Sequence, residues 1–337
     1  MKTILYIGSN LTEKSNYHSS YYVLSALLER EGFKVVRSSS KKNKILRLFD
    51  MMVSTLFQKY DVVLIDTFSS QNFYYALIAS QIARFRNKPY LPILRGGNLP
   101  QRIDKNPKWA QSIFSHSMIN VAPSGYLEYE FGARDFATVF IPNILNVEKF
   151  KYKQREQIKP KLLWVRAFAH FYNPNMAIHA LHKLKNEYPN AELCMVGPKK
   201  DNSWEEANAL VNALGLEESV KFTGVMKRED WTKLSEDYDI FISTTTIDNT
   251  PVSVMEAVAL GLPVLSTNVG GVPYLVSDEY EALLVDSGDV DAMVKAVKRL
   301  LTSPELVIRL TTNAKHKIDQ FDWSVVRHQW LKILGGI

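Results

Sequence analysis

Cysteine is almost missing: Cys194 stands alone in 337 residues. That excludes an internal disulfide and any multi-cysteine metal cluster, and its place in an apolar run points to a packed thiol. Long apolar runs are missing too; none approaches the ~20 residues that span a bilayer. No apolar leader follows Met1-Lys2, since Thr3 to Gly8 reads as a strand rather than a signal peptide. The expectation is a cytoplasmic protein, with peripheral contact at the inner face of the cell membrane as an option. Zinc-finger spacing and an aromatic RNA-binding signature are absent, which ranks nucleic acid last among partners. The net charge of +6 then points to phosphorylated ligands or an anionic surface. With 46% hydrophobic and 23% charged residues the chain is globular, and its length suits two domains.

What is present alternates strand and helix. Ile4–Gly8, Phe33–Arg37, Asp61–Asp66, Pro89–Leu94, Met118–Ala122 and Thr138–Ile141 read as strands of the first half. Repeated βα units predict a parallel sheet covered on both faces. Gly8 ends the first strand alone, so the loop through Ser19 carries no dinucleotide fingerprint. Lys149–Lys161 is charged and aperiodic and reads as a linker. A second series opens at Leu162–Arg166 and continues with Ala191–Gly197 and Lys221–Val225.

The most informative stretch runs from Phe241 to Pro273. A β-branched run, Ile240–Thr244, suits a buried strand. Thr250-Pro251 suits an N-cap followed by Pro at the first helical position. Val252–Leu260 is an apolar helix ended by Gly261 and Pro263. This puts a helix N-terminus at the carboxyl edge of a strand, where open α/β sheets bind ligands and where amides favour phosphate. From Asn249 to Ser277 the only charged side chain is Glu256. A carboxylate in so apolar a helix is costly unless something hydrogen-bonds to it; the plainer alternative is a solvent-facing Glu256 and an incidental loop acid at Asp248.

Asp248 and Glu256, Glu256-Ala257, Gly261-Leu262-Pro263-Val264 and Gly270-Gly271-Val272-Pro273 together resemble the signature of the family 4 glycosyltransferases. The likeness is strongest from about Leu162 to Leu301. It implies the GT-B fold, two Rossmann-like parallel-sheet domains facing a cleft, here 1–155 for the acceptor and 156–320 for the donor. A last helix, 321–337, would pack back on the first domain through Trp323, Val326, Trp330 and Leu334. It also implies retaining transfer of a sugar from a nucleotide-diphosphate donor to a saccharide or lipid-linked saccharide, as in cell-surface polysaccharide or glycolipid synthesis.

Carried over residue by residue, Arg166 falls on the family's diphosphate-binding arginine. The lysine that normally follows is missing; His170 and the Asn173-Pro174 helix start stand in its loop. Asp248 replaces the usual Glu and would hold the donor sugar or support its transition-state cation. Glu256 would accept from the ribose hydroxyls, and Asn249, Thr250, Pro251, Val252 and Ser253 would offer amides to the diphosphate. The base would lie between Gly197-Pro198 and Gly224-Val225, and Gly8 counts among the donor contacts. The family's histidine in the first domain is also missing, and Arg95, Gly96, Gly97 and Asn98 are the substitutes for acceptor contact. Asp237-Tyr238-Asp239 precedes its strand and implies no metal; no cofactor is expected. Lys41–Tyr60 is amphipathic with a basic start at Lys41, Lys42, Lys44 and Arg47. It reads either as a helix packed on the sheet through Ile45, Leu48, Met52, Leu56 and Phe57 or as a surface for anionic lipid. A catalytically weak nucleotide-sugar-binding partner subunit and a GT-B sugar-nucleotide epimerase are the alternatives to a transferase.

Overall fold

The computed structural model describes residues 1–8 and 20–336; the polar loop from Ser9 to Ser19 lies outside the described residues. The chain forms two compact units, Met1–Ile144 with Trp323–Ile337, and Leu145–Asp322.

Unit one holds β1 (Thr3–Ile7), β2 (Lys34–Ser38), β3 (Val62–Thr67), β4 (Tyr90–Leu94), β5 (Asn120–Ala122) and β6 (Thr138–Phe140). They form one sheet in the order β2-β1-β3-β4-β5-β6, parallel throughout. Its helices are α1 (Ser20–Arg30), α2 (Lys44–Phe57), α3 (Asn72–Phe85), α4 (Leu99–Lys105), α5 (Pro107–Phe114) and α6 (Gly125–Gly132). The two-residue period of a strand sorts its side chains between two cores. Leu5, Ile7, Val63 and Ile65 pack on one face, while Ile4, Tyr6, Val62 and Leu64 pack on the other.

Unit two repeats the plan. Its strands are β7 (Lys161–Val165), β8 (Glu192–Val196), β9 (Val220–Gly224), β10 (Ile240–Ser243), β11 (Val264–Thr267) and β12 (Leu283–Val285). The order is β12-β11-β10-β7-β8-β9, again parallel. The first and fourth strands of this unit are therefore neighbours, and the sequence of strands runs outward from them in opposite directions. That reversal, between β7 and β10, is the crevice where such sheets bind ligands. The covering helices are α7 (Pro174–Leu184), α8 (Ser203–Ala213), α9 (Arg228–Leu234), α10 (Val252–Ala259), α11 (Val272–Leu275), α12 (Val290–Thr302) and α13 (Pro304–Asp319). Cys194 is buried in the core beside Leu163 and Phe241.

The stretch Lys149–Lys161, expected as a linker, is instead bound into unit two. Phe150 is in its core, and Arg155 is 3% exposed. The Arg155 guanidinium donates to the carbonyls of Tyr238, Ser235, Leu260 and Lys153. Buried carbonyls need donors, which is why a charged, aperiodic segment is held there. Asp239 is used structurally as well, accepting from the Lys159 amide at 2.9 Å. Among the described residues no group of three or more His, Cys, Asp or Glu is placed to hold a metal.

The final helix, α14 (Trp323–Gly335), belongs to unit one. Val326, Trp330 and Leu334 enter the core of Ile4 and Tyr6. Trp323 Nε1 donates to Glu31, and Lys2 Nζ reaches the carbonyls of Leu334 and Gly335.

Helix α2 corrects one of the two readings of Lys41–Tyr60, the apolar face packed on the sheet. Asn43 caps it, accepting from the amides of Ile45 and Leu46. The side it buries carries Arg47, Met51 and Thr55, whereas Ile45, Leu56 and Phe57 are exposed. Arg47 faces inward and donates to the carbonyls of Lys41 and Lys42, so it is not part of the solvated basic end. Among the described residues no helix is long and apolar enough to cross a membrane.

Candidate functional site

Arg166 follows β7 and Asp248 lies in the loop after β10, so the two stand on either side of the switch point. Their side chains meet, Arg166 Nη2 to Asp248 Oδ2, at 2.5 Å, each about one-eighth exposed. The guanidinium carbon lies 4.8 Å from the centre of the Tyr172 ring, and Arg166 Nε is buried with no hydrogen-bond partner. A charged group with an unmet buried donor is costly, which marks this edge as a place for an anion.

Backbone contacts hold the pair in place. The Arg166 amide donates to the Val196 carbonyl, and the Gly197 amide donates to that of Gly224. A side chain at Gly197 would put its Cβ 1.8 Å from the Arg166 carbonyl oxygen, so only glycine lets these strand ends close up. The loops after β7 and β10 are tied together as well. Thr246 N and the hydroxyls of Thr244 and Thr245 donate to carbonyls of Phe171 and Tyr172. Trp164 Nε1 donates to Thr244 from below. The Gly270-Gly271 loop packs on the Asp248-Asn249 backbone: the Gly271 amide donates to the Asp248 carbonyl at 2.9 Å. A Cβ at Gly271 would lie 1.6 Å from the Asn249 carbonyl oxygen.

Helix α10 starts one residue later than its sequence suggested. Pro251, in extended conformation, is the N-cap, and no side chain caps the helix; Thr250 is therefore not the cap. Val252 and Ser253 occupy the first turn. Ser253 and Glu256, three apart, share a face, and both are buried. Ser253 Oγ and Glu256 Oε1 each lack a hydrogen bond. The plainer expectation of a solvent-facing Glu256 is thereby excluded.

Sequence reasoning missed Arg228, at the start of α9. Its Nε lies 2.8 Å from Glu256 Oε1, so the buried carboxylate is ion-paired, although that oxygen lacks a well-directed hydrogen bond. Burial raises the Glu256 pKa to about 7, against the opposing charges of Arg228 and Arg166. The carboxyl is thus poised to ionise when further donors reach it. No local pattern flagged Arg228, because the pairing spans 28 positions (256 − 228) between two different βα units.

The other expected donor contacts are placed unequally. Pro198 and Gly224 stand at the same sheet edge, and Val225 is exposed. His170 turns to the loop at the start of α8, with Nε2 2.8 Å from Asn202 Oδ1 and Nδ1 3.6 Å from Glu206. The bond to Asn202 raises its pKa. Asn173 precedes α7 in left-handed conformation and makes no side-chain cap, contrary to the cap expected there. The Asn249 amide is taken by Asp248 Oδ1.

In unit one, Arg95 is engaged by its own fold. Nε pairs with Asp66 at 2.8 Å, Nη1 donates to Asn143 and Nη2 to the Tyr6 hydroxyl. Burial opposes its charge, but Asp66 and Tyr6 outweigh that and raise its pKa. Gly96 and Gly97 are half-buried, and Asn98 is exposed where α4 begins. Gly8 closes β1, its amide donating to the Ser38 carbonyl.

The family model described as glycosyl transferases group 1 matches residues 147–317, which lie within unit two. The amylovoran biosynthesis glycosyltransferase AmsK of Erwinia amylovora is 28% identical over 56% of this chain and 48% of its own. Protein CapJ of Staphylococcus aureus is 26% identical over 82% of this chain and 73% of its own. The chain spans about half the length of the first curated relatives it matches, 42% to 48%. Among solved structures, Anabaena HepE in complex with UDP and glucose superposes over the whole of both chains with a TM-score of 0.77 at 16% identity.

Proposed function

The chain belongs to the group 1 glycosyl transferases, and from that premise we propose that it is a retaining, family 4-type enzyme. It moves a sugar from a nucleotide-diphosphate donor to a hydroxyl of a saccharide or lipid-linked saccharide, in polysaccharide or glycolipid synthesis. The observation that carries this reading is Glu256, buried in the apolar helix α10 at the switch-point edge and held by one cation, Arg228, with an oxygen lacking a well-directed hydrogen bond. Ribose hydroxyls would donate to it. Arg166, Ser253 and the amides of Val252 and Ser253 at the start of α10 would meet the diphosphate, with Arg228 supplying the cation that the loop after β7 lacks. Positive charge held in advance where the leaving phosphate gains negative charge is the main catalytic term expected here. Asp248 would face the sugar as its C1–O bond to phosphate breaks. The new bond forms to the acceptor oxygen, whose proton passes to the departing phosphate. With two arginines at the diphosphate, no metal is assigned. HepE, which binds UDP and UDP-glucose, makes uridine donors the first to test. The acceptor side is assigned to Gly96, Gly97 and Asn98, with Arg95 positioning them, and Lys41–Tyr60 is assigned to the surface of an anionic membrane.

Titration calorimetry with UDP and a panel of nucleotide sugars, in EDTA, tests the assignment. Glu256→Ala and Arg228→Ala should each weaken donor binding about tenfold or more, as expected for losing a charge-assisted hydrogen bond, while leaving circular dichroism unchanged. Wild-type affinity in Glu256→Ala refutes the ribose role. Donor binding without transfer to any acceptor supports the partner-subunit reading, and conversion of donor without acceptor supports an epimerase.

A further inference from the structure

Helix α2 is built the wrong way round for a helix that only covers a sheet. On a helical wheel Ile45, Leu46, Phe49, Val53, Leu56 and Phe57 fall in one sector of about 120°. All six are exposed, Ile45 at 67% and Phe57 at 73%. The opposite side, with Arg47, Met51 and Thr55, is the buried one. The helix is fixed in this orientation. Arg47 grips the preceding loop, the Tyr75 hydroxyl of α3 donates to the Lys44 carbonyl, and Arg86 donates to the carbonyls of Thr55 and Gln58. Next to Arg86 stands Phe85, 81% exposed. An apolar stripe some 18 Å long, from Ile45 to Phe57, is more than scattered surface residues, which would need no explanation.

We propose that α2 lies in the plane of an anionic bilayer, with these six side chains inserted below the headgroups and Lys41, Lys42 and Lys44 on the lipid phosphates. This deepens the assignment of Lys41–Tyr60 to a membrane surface and rests on it. The charge around the stripe selects the occupant. With Arg47 turned inward, the exposed charges of Lys41–Tyr60 are Lys41, Lys42, Lys44 and Lys59, against the partly buried Asp50. A second copy seated on this face in parallel would set lysine against lysine, and in antiparallel it would offer the lysines no cluster of acids, whereas anionic lipid complements them. An amphipathic helix of this kind buries its apolar side to a depth of about 5–10 Å. A salt-resistant component of binding is the consequence, because screening weakens the lysine term and leaves the apolar one.

Flotation with vesicles of phosphatidylcholine, alone or mixed with phosphatidylglycerol, tests this on the full chain. Wild type should float with the mixed vesicles, and part of that binding should survive about 0.5 M salt. Phe49→Asp/Phe57→Asp should lower partition about tenfold or more and abolish the salt-resistant part, with the melting temperature unchanged because both positions are exposed. Lys41→Glu/Lys42→Glu/Lys44→Glu should lose mainly the salt-sensitive part. Wild-type flotation of the aspartate variant, or binding removed entirely by salt, overturns insertion while leaving an electrostatic contact standing. Absence of flotation overturns both. Self-association of wild type that the aspartate variant abolishes assigns the face to a second copy and also overturns the proposal. UDP binding by the same variants reports separately on the donor site.

Discussion

A carboxyl whose pKa sits near neutrality makes Glu256 a measurable group. Its folded value, about 7, lies above the ordinary 4.5, so the folded state holds this proton more tightly than the unfolded chain does. The stability it contributes is therefore complete below about pH 4.5 and is lost as the pH rises to about 7, a span of roughly 3 kcal/mol. Calorimetric melting across that window should show the decline in wild type and a flatter profile in Glu256→Gln. Asp248 yields a second test. It occupies the same guanidinium that a diphosphate would seek, so Asp248→Asn should bind UDP without a sugar more tightly than wild type, by severalfold in titration calorimetry, yet lose transfer. Both acids were legible in the sequence because each stands in a stretch nearly free of other charge. Arg228 was not, since nothing near it in sequence names its partner. Arg95 shows the opposite failure: its position at a strand's carboxyl end was readable, but its engagement by Asp66, Asn143 and Tyr6 depends on residues far apart in the chain.

Elements were legible where a local rule fixes them. The apolar run of β10 and the Gly261 stop on α10 needed no tertiary information. The start of α10 was off by one because Thr250-Pro251 satisfies the capping pattern, whereas Pro251 in extended conformation is the cap residue. Helix α2 marks a different limit: periodicity reveals an apolar stripe but not whether it faces inward. The Gly270-Gly271 loop is the element on which the β10–α10 connection rests. Gly271→Ala forces a Cβ onto the Asn249 carbonyl, and strain of this kind costs about 1–3 kcal/mol. Chemical denaturation should show that loss, and UDP titration should show weakened binding, because Asp248 and Asn249 must shift.

Across the whole molecule, alternation of strand and helix was enough to predict two parallel α/β sheets. Strand order was not available from it, and the order decides where the crevice falls. That order depends on which edge each new βα unit joins, a matter of packing rather than of local pattern. Trp330 offers the test at this scale. It is 3% exposed in the core of Ile4 and Tyr6, and truncating a buried aromatic costs about 3–5 kcal/mol. Trp330→Ala should lower the melting of unit one in scanning calorimetry while the transition of unit two holds its temperature. The return of α14 to unit one also sets an order of assembly on the ribosome. The stretch from Leu145 to Asp322 is contiguous and is finished while the earlier-made sheet still lacks its last covering helix. The half synthesised first is thus the half completed last, and a nascent chain stalled before Trp323 would carry one finished sheet and, on the other, an open, oily face awaiting its lid.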